Sequence, residues 1–304
     1  MEYVLKTKDL CKHYKDFKAL DGLTMNVPKG SIYGFVGRNG AGKTTLIRLV
    51  CGLQMPTGGE FELYGVKCSD KAINESRRRV GAVVESPSLY PDMTAEDNLR
   101  YQYRLLGMPD YSGIDELLKL VGLDKTGKKK VKNFSLGMRQ RLGIAIALCG
   151  DQDMLILDEP INGLDPQGII EIRELIIKLN RERKITFIIS SHILDELSKL
   201  ATHYGFIDRG RIVREMSAEE LEAACRKSLR AEVTDTAALA MVLDKRGEEY
   251  TIIDDTHAEI YARPNISDLV FELAEENCKL SSCSEREETL EGYFISLVGG
   301  DSNE

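Results

Sequence analysis

The run Ser31-Ile32-Tyr33-Gly34-Phe35-Val36 is apolar and strand-like, and Leu46-Ile47-Arg48-Leu49-Val50 carries a helical pattern. Between them lies Gly37-Arg38-Asn39-Gly40-Ala41-Gly42-Lys43-Thr44-Thr45, which fits the pattern G-x-x-x-x-G-K-[ST]. A random chain of this length would match that pattern roughly once in a hundred, and a strand before and a helix after make an accident rarer still. Such a loop binds a nucleoside triphosphate. The glycines let backbone N–H groups wrap the phosphates, and the helix that follows presents its positive end to the same anion. In this frame Gly37, Asn39, Gly40, Ala41, Gly42 and Thr45 cradle the phosphates. Lys43 reaches the β- and γ-phosphates, and the Thr44 hydroxyl takes a place on Mg²⁺.

The pattern around the loop is organised. Val4 to Lys8, Leu23 to Val27 and Glu60 to Tyr64 alternate with period two and are separated by turn signals at Pro28-Lys29-Gly30 and Pro56-Thr57-Gly58-Gly59. Residues 87–135 read as a helical subdomain, with Thr94 as helix cap and Asp97 three residues on. Beyond it the fully apolar runs Met154 to Leu157 and Ile185 to Ile189 are interleaved with helical patterns, and Gly205 to Asp208 reads as the last strand of the set. Buried strands with helices between them indicate a mostly parallel sheet covered on both faces. Past Ser217 the order strand, helix, strand, strand, helix, strand, with a helix over 288–298, predicts a small α+β ferredoxin-like domain. The expected division is therefore 1–216 and 217–304.

Composition narrows the function. The longest apolar stretch, Leu142 to Cys149, is far short of the ~20 residues a spanning helix needs. No secretory pattern opens the chain, so the expected location is cytoplasmic, with any membrane role peripheral. A net charge of −8 argues against nucleic acid as the main partner. Seven scattered cysteines with no C-x-x-C pair read as reduced core thiols rather than a metal or redox centre. The runs Arg77-Arg78-Arg79 and Lys128-Lys129-Lys130 read as solvated faces.

Met154-Leu155-Ile156-Leu157-Asp158-Glu159 sets two carboxylates at the carboxyl end of a buried strand, where doubly wound sheets bind ligands. Asp158 is expected to hold Mg²⁺ through water and Glu159 to polarise the attacking water. Phe134-Ser135-Leu136-Gly137-Met138 places a hydroxyl and free N–H groups at a helix start.

Here the chain resembles the ATP-binding cassette (ABC) ATPases. Ser135 and Gly137 match a signature whose usual form is Leu-Ser-Gly-Gly-Gln. Asn162-Gly163-Leu164-Asp165-Pro166 is similar to the family's D-loop, His192 to its switch histidine, and Tyr14 before Ala19-Leu20 to its adenine-stacking aromatic. The resemblance implies a P-loop NTPase core with an antiparallel β-subdomain and a helical subdomain. It also implies ATP and Mg²⁺ as ligands and a homodimer closed head to tail. Ser135 and Gly137 of one copy would meet the γ-phosphate held by Lys43 of the other, with His192 bridging it to Glu159.

Two departures refine this. Glu85 stands where most of the family has Gln, and Leu136 and Met138 alter the signature. In these features the chain resembles the ATP-binding subunits of bacitracin- and lantibiotic-type peptide self-protection exporters, which implies a separate transmembrane permease. Glu85 would add a negative oxygen near Mg²⁺ and link the site to that permease. A soluble cassette ATPase of a cofactor-assembly type and a non-catalytic nucleotide-binding regulator remain the competing readings.

Overall fold

The computed structural model describes residues 2–299 apart from 109, 151, 226–227, 262–263 and 287–289. Its chain divides into two compact units, Met1–Ala218 and Glu219–Glu304. The opening residues of the helix expected over 288–298, and positions 300–304 of the second domain, lie outside the described residues.

The first unit holds β1 (Tyr3–Tyr14), β2 (Phe17–Pro28), β3 (Ile32–Val36), α1 (Lys43–Val50), β4 (Gly58–Leu63), β5 (Val66–Lys67), α2 (Ile73–Arg78) and β6 (Val80–Val83). The helical subdomain follows as α3 (Ala95–Leu105), α4 (Gly113–Leu120) and α5 (Leu136–Ala147). Then come β7 (Met154–Asp158), α6 (Pro166–Arg183), β8 (Thr186–Ser191), α7 (Leu194–Ser198), β9 (His203–Asp208) and β10 (Arg211–Ser217).

Two sheets result. The antiparallel sheet has the order β2-β1-β4-β5, and the larger one β10-β9-β3-β8-β7-β6. In the larger sheet β6, β7, β8, β3 and β9 run parallel, and β10 pairs antiparallel to β9. Strand β10 extends the sheet past β9, which was expected to end it. Its exposed Arg211, Val213 and Arg214 break the alternation that marks a half-buried strand. Strands β3, β7 and β8 are buried along their whole length, as helix-covered parallel strands are. The α1 residues Leu46, Leu49 and Val50 join one apolar cluster with Leu5, Met25 and Phe61 of the antiparallel sheet and Met154 and Ile156 of β7. That packing fixes the axis of α1 and so aims its N-terminus.

In the second unit α8 (Ala218–Ala224), which has no counterpart in the expected order, precedes β11 (Ser228–Val233), α9 (Thr236–Arg246), β12 (Tyr250–Ile252), β13 (His257–Ile260), α10 (Ile266–Glu275), β14 (Leu280–Arg286) and α11 (Leu290–Gly299). The sheet order β12-β13-β11-β14, antiparallel throughout, is that of a ferredoxin-like α+β domain. Its core gathers Leu239, Val242 and Leu243 of α9 with Leu269 and Leu273 of α10 over Ala231, Ala258 and Ile260 of the sheet.

Candidate functional site

The loop between β3 and α1 takes its shape from its glycines. Gly40 and Gly42 have φ of 82° and 114°, the left-handed side that glycine adopts without strain. A Cβ on Gly42 would lie 2.6 Å from the Ala19 carbonyl oxygen, and one on Gly37 2.5 Å from that of Ile207. The loop is thus wedged between β2 and β9, with no room for a side chain at either position. Lys43 opens α1 and is nearly fully buried. Its ammonium donates to the Gly37 carbonyl at 2.6 Å and stands 3.4 Å from Glu159 Oε1.

Strands β7 and β8 bring the remaining polar groups to the same edge. In register Asp158 lies beside Ser190. Thr44 Oγ1 donates to Asp158 Oδ2 at 2.9 Å, and the Ser190 hydroxyl donates to Asp158 Oδ1. Glu159 has φ of 50°, and its N–H donates to both Ser190 Oγ at 3.0 Å and the Ser190 carbonyl at 3.2 Å. Its carboxylate is therefore turned out of the strand line, with Oε2 2.9 Å from His192 Nδ1. One carboxylate thus faces an ammonium on one side and an imidazole on the other. A buried second carboxylate beside it shares hydrogen bonds with Thr44 and Ser190.

A cavity of about 240 Å³ sits over this cluster, lined by Phe17, Ala19, Arg38, Asn39, Gly40, Gly42, Lys43, Thr44, Thr45 and Glu159. Phe17, which sequence reasoning did not select, is the aromatic on this wall. Tyr14 bonds instead to Gln54 through its hydroxyl and has Lys12 Nζ 5.1 Å from its ring centre. A four-residue span holds both aromatics, and the turn at Lys15 (φ 49°) decides which faces the cavity.

Ser135 caps α5, accepting the Met138 N–H at 3.2 Å, and Asp165 caps α6, accepting the Gly168 N–H at 3.1 Å. A Cβ on Gly137 would lie 3.8 Å from Leu164, so the start of α5 stands against the Asn162–Pro166 turn. Neither Ser135 nor Gly137 is among the residues lining the cavity. Glu85 has φ of 60° and is ion-paired to Arg48 of α1, more than half exposed. Arg77, read as part of a solvated face, instead donates from Nε to the Val50 carbonyl at 3.0 Å. It thereby satisfies an orphan acceptor at the end of α1.

Comparison with known proteins places this geometry. The ABC transporter family model matches residues 20–162. The bacitracin transport ATP-binding protein BcrA of Bacillus licheniformis is 42% identical over 99% of this chain and 99% of its own. The chain belongs to the ATP-binding proteins of ABC transporters. It is accordingly an ATPase, and its fold is that of an ABC cassette. The lantibiotic transport ATP-binding protein SrtF of Streptococcus pyogenes is 44% identical, the match covering 70% of this chain and 90% of SrtF. A cassette solved as a dimer in a post-hydrolysis state with ADP and Pi superposes with a TM-score of 0.63 at 26% identity, covering 70% of this chain and 98% of that one. Among the described residues no helix is long and apolar enough to cross a membrane.

Proposed function

We propose that this ABC ATPase works as one of a pair of identical cassettes. The pair drives a separate membrane permease that moves an antimicrobial peptide of the bacitracin or lantibiotic kind out of the cell, from a cytoplasmic position against the membrane. The observation that carries the ATP-consuming part is the Glu159 carboxylate held between Lys43 and His192 beside the Thr44–Asp158 pair. Glu159 is the general base that orients and deprotonates the attacking water. His192 holds that carboxylate and contacts the transferring phosphoryl group. Lys43 leaves its carbonyl partners for the phosphates. Thr44 and Asp158 supply the hard oxygen donors that Mg²⁺ requires, with Glu85 as a further carboxylate. Mg²⁺ would neutralise charge on the β- and γ-oxygens.

Pairing is supported by the placement of Ser135 and Gly137 outside their own chain's cavity and by the dimeric cassette above. In the pair, Ser135, Gly137 and Asp165 complete the partner's site. Phe17 stacks on the adenine, with Tyr14 its cross-strand partner at the β1–β2 turn. Transport rather than a soluble assembly is favoured by the transport names of the full-length and cassette-length relatives. The cassette spans residues 1–216 and the accessory domain 217–304.

Glu159→Gln is expected to lower phosphate release by roughly 10²–10⁴ while leaving ATP binding intact; unchanged turnover would refute the base assignment. For the cargo, the chain is co-reconstituted with its permease in vesicles and ATP turnover is followed as bacitracin or a lantibiotic is added. Stimulation is expected, and its absence for both peptides would overturn the cargo reading. Glu85→Gln and Glu85→Ala belong to the same assay. If both leave the stimulated rate unchanged, Glu85 does not link cassette to permease.

A further inference from the structure

Cys11 and His13 stand two residues apart on β1, where bulges shift its register against β2 between Leu10 and His13. Asp21 projects from β2 beside them. A ligand atom from each of these three side chains lies within 4.8 Å of the other two, and His13 Nε2 is 3.8 Å from Asp21 Oδ1. We infer that Cys11, His13 and Asp21 hold a borderline-soft divalent cation of the Zn²⁺ class through thiolate, imidazole and carboxylate, with a fourth position left to water. Donors around one tetrahedral zinc bind at about 2.0–2.3 Å and so stand about 3.3–3.8 Å from one another. Small side-chain rotations close the present spacing to that range.

The scaffold beneath the donors is tied down. The Thr57 N–H donates to the Cys11 carbonyl at 2.9 Å, and Thr57 Oγ1 accepts the His13 N–H at 3.0 Å. Asp21 is fixed by its own N–H, which donates to the Gly210 carbonyl at 3.0 Å. The Gly22 N–H donates to Cys11 Sγ at 3.3 Å, and the thiol donates to the Asp9 carbonyl at 3.3 Å, so backbone groups on both sides fix the sulfur's position. Arg211 holds Asp21 Oδ2 at 2.7 Å and keeps its carboxyl below the usual range. Such outer support is typical of ligating carboxylates, and it leaves Oδ1 toward His13. The other cation on Oδ1, Lys18 at 3.3 Å, is exposed and free to swing out. Elsewhere burial pushes the Cys51 thiol up to about 11 and that of Cys149 to about 12, so those sulfurs stay protonated near neutrality.

The position has a consequence for the nucleotide, on the reading that the Lys43 cavity is the nucleotide site. Phe17 and Ala19 of β2 line that cavity, and the Gly210 that accepts from Asp21 donates its own N–H to Ala41 of the phosphate loop at 2.9 Å. An ion tying β1 to β2 stiffens this path and tightens ATP binding, by about fivefold at the low end of ordinary coupling between sites.

The test uses the full chain. Co²⁺ is titrated in and the thiolate-to-cobalt charge-transfer band is followed, then chased with Zn²⁺. A band that Zn²⁺ abolishes is expected, with affinity reduced at least about tenfold in Cys11→Ser and in His13→Gln, and unchanged in Cys51→Ser. No band, or equal bands in wild type and Cys11→Ser, overturns the site. If Cys11→Ser does not fold, His13→Gln and Asp21→Asn decide in the same way. Fluorescent ATP binding is then measured with and without Zn²⁺. Tightening in wild type and none in Cys11→Ser is expected. Equal constants in wild type, with the cobalt band present, would keep the site and overturn the coupling. Retained ATP binding in Lys43→Ala would instead show that the cavity reading had failed.

Discussion

Ser190 ties the two carboxylates of the site to each other. Its hydroxyl donates to Asp158 while its Oγ and carbonyl both accept the Glu159 N–H. Glu159 sits at a φ of 50°, which for a non-glycine residue costs roughly 1–2 kcal/mol, and this forked bond holds it there. Removing the hydroxyl loses a hydrogen bond to a charged group, worth about 1.5–3 kcal/mol. Ser190→Ala is therefore expected to slow phosphate release about tenfold or more, with ATP affinity little changed because the phosphate loop keeps its own contacts. Single-turnover kinetics beside a binding titration checks this; a loss of affinity with unchanged turnover would place Ser190 in binding instead. Lys43, Asp158 and Glu159 could be picked out of the sequence because each belongs to a local pattern, whereas His192 stood out only through the family resemblance. Ser190 could not, since its role depends on the β7–β8 register that sets it beside Asp158. Phe17 was missed for a related reason: the bend at Lys15 selects between two nearby aromatics, and no periodicity encodes it.

At the scale of elements, the helical subdomain is joined to the core by close packing of α5. A Cβ on Gly81 of β6 would lie 2.0 Å from the Ala147 carbonyl oxygen, and one on Gly143 of α5 would lie 2.7 Å from Pro87. The first contact is with backbone at the end of a helix and cannot yield without moving α5. Gly81→Ala is expected to cost about 1–3 kcal/mol, the usual range for overpacking, read as a lowered urea midpoint of the first unit. An unshifted midpoint would mean that α5 is not rigidly seated on β6. At the other end of this subdomain the Thr94–Asp97 capping box forms as the sequence predicts, since a cap needs only residues three apart. Thr94→Ala is expected to cost about 1 kcal/mol on the same measurement. Arg77 shows where local reading ends. A run of three arginines looks solvated, yet one of them closes the far end of α1, a contact 27 residues back along the chain. Strand β10 escaped for a different reason, because its outward residues are as exposed as those of a loop.

For the whole molecule, each compact unit has a core of its own. The β-α-β-β-α-β order of the second could be read from short alternating segments. The strand order β12-β13-β11-β14 then follows, because a ferredoxin-like chain buries both helices on one face of its sheet. Leu239 of α9 is fully buried in that second core. Truncating such a leucine costs about 2–5 kcal/mol, according to how far the site can collapse. If 217–304 is a separate domain, that loss falls on it alone. Leu239→Ala is then expected to lower one calorimetric transition and leave untouched the other, which Gly81→Ala lowers. ATP raises the transition of the unit that binds it, by mass action, and so labels the two independently of the substitutions. It is expected to raise the one that Leu239→Ala spares. If Leu239→Ala lowers both together, or lowers the transition that ATP raises, the chain unfolds as one cooperative body and the two-domain division fails.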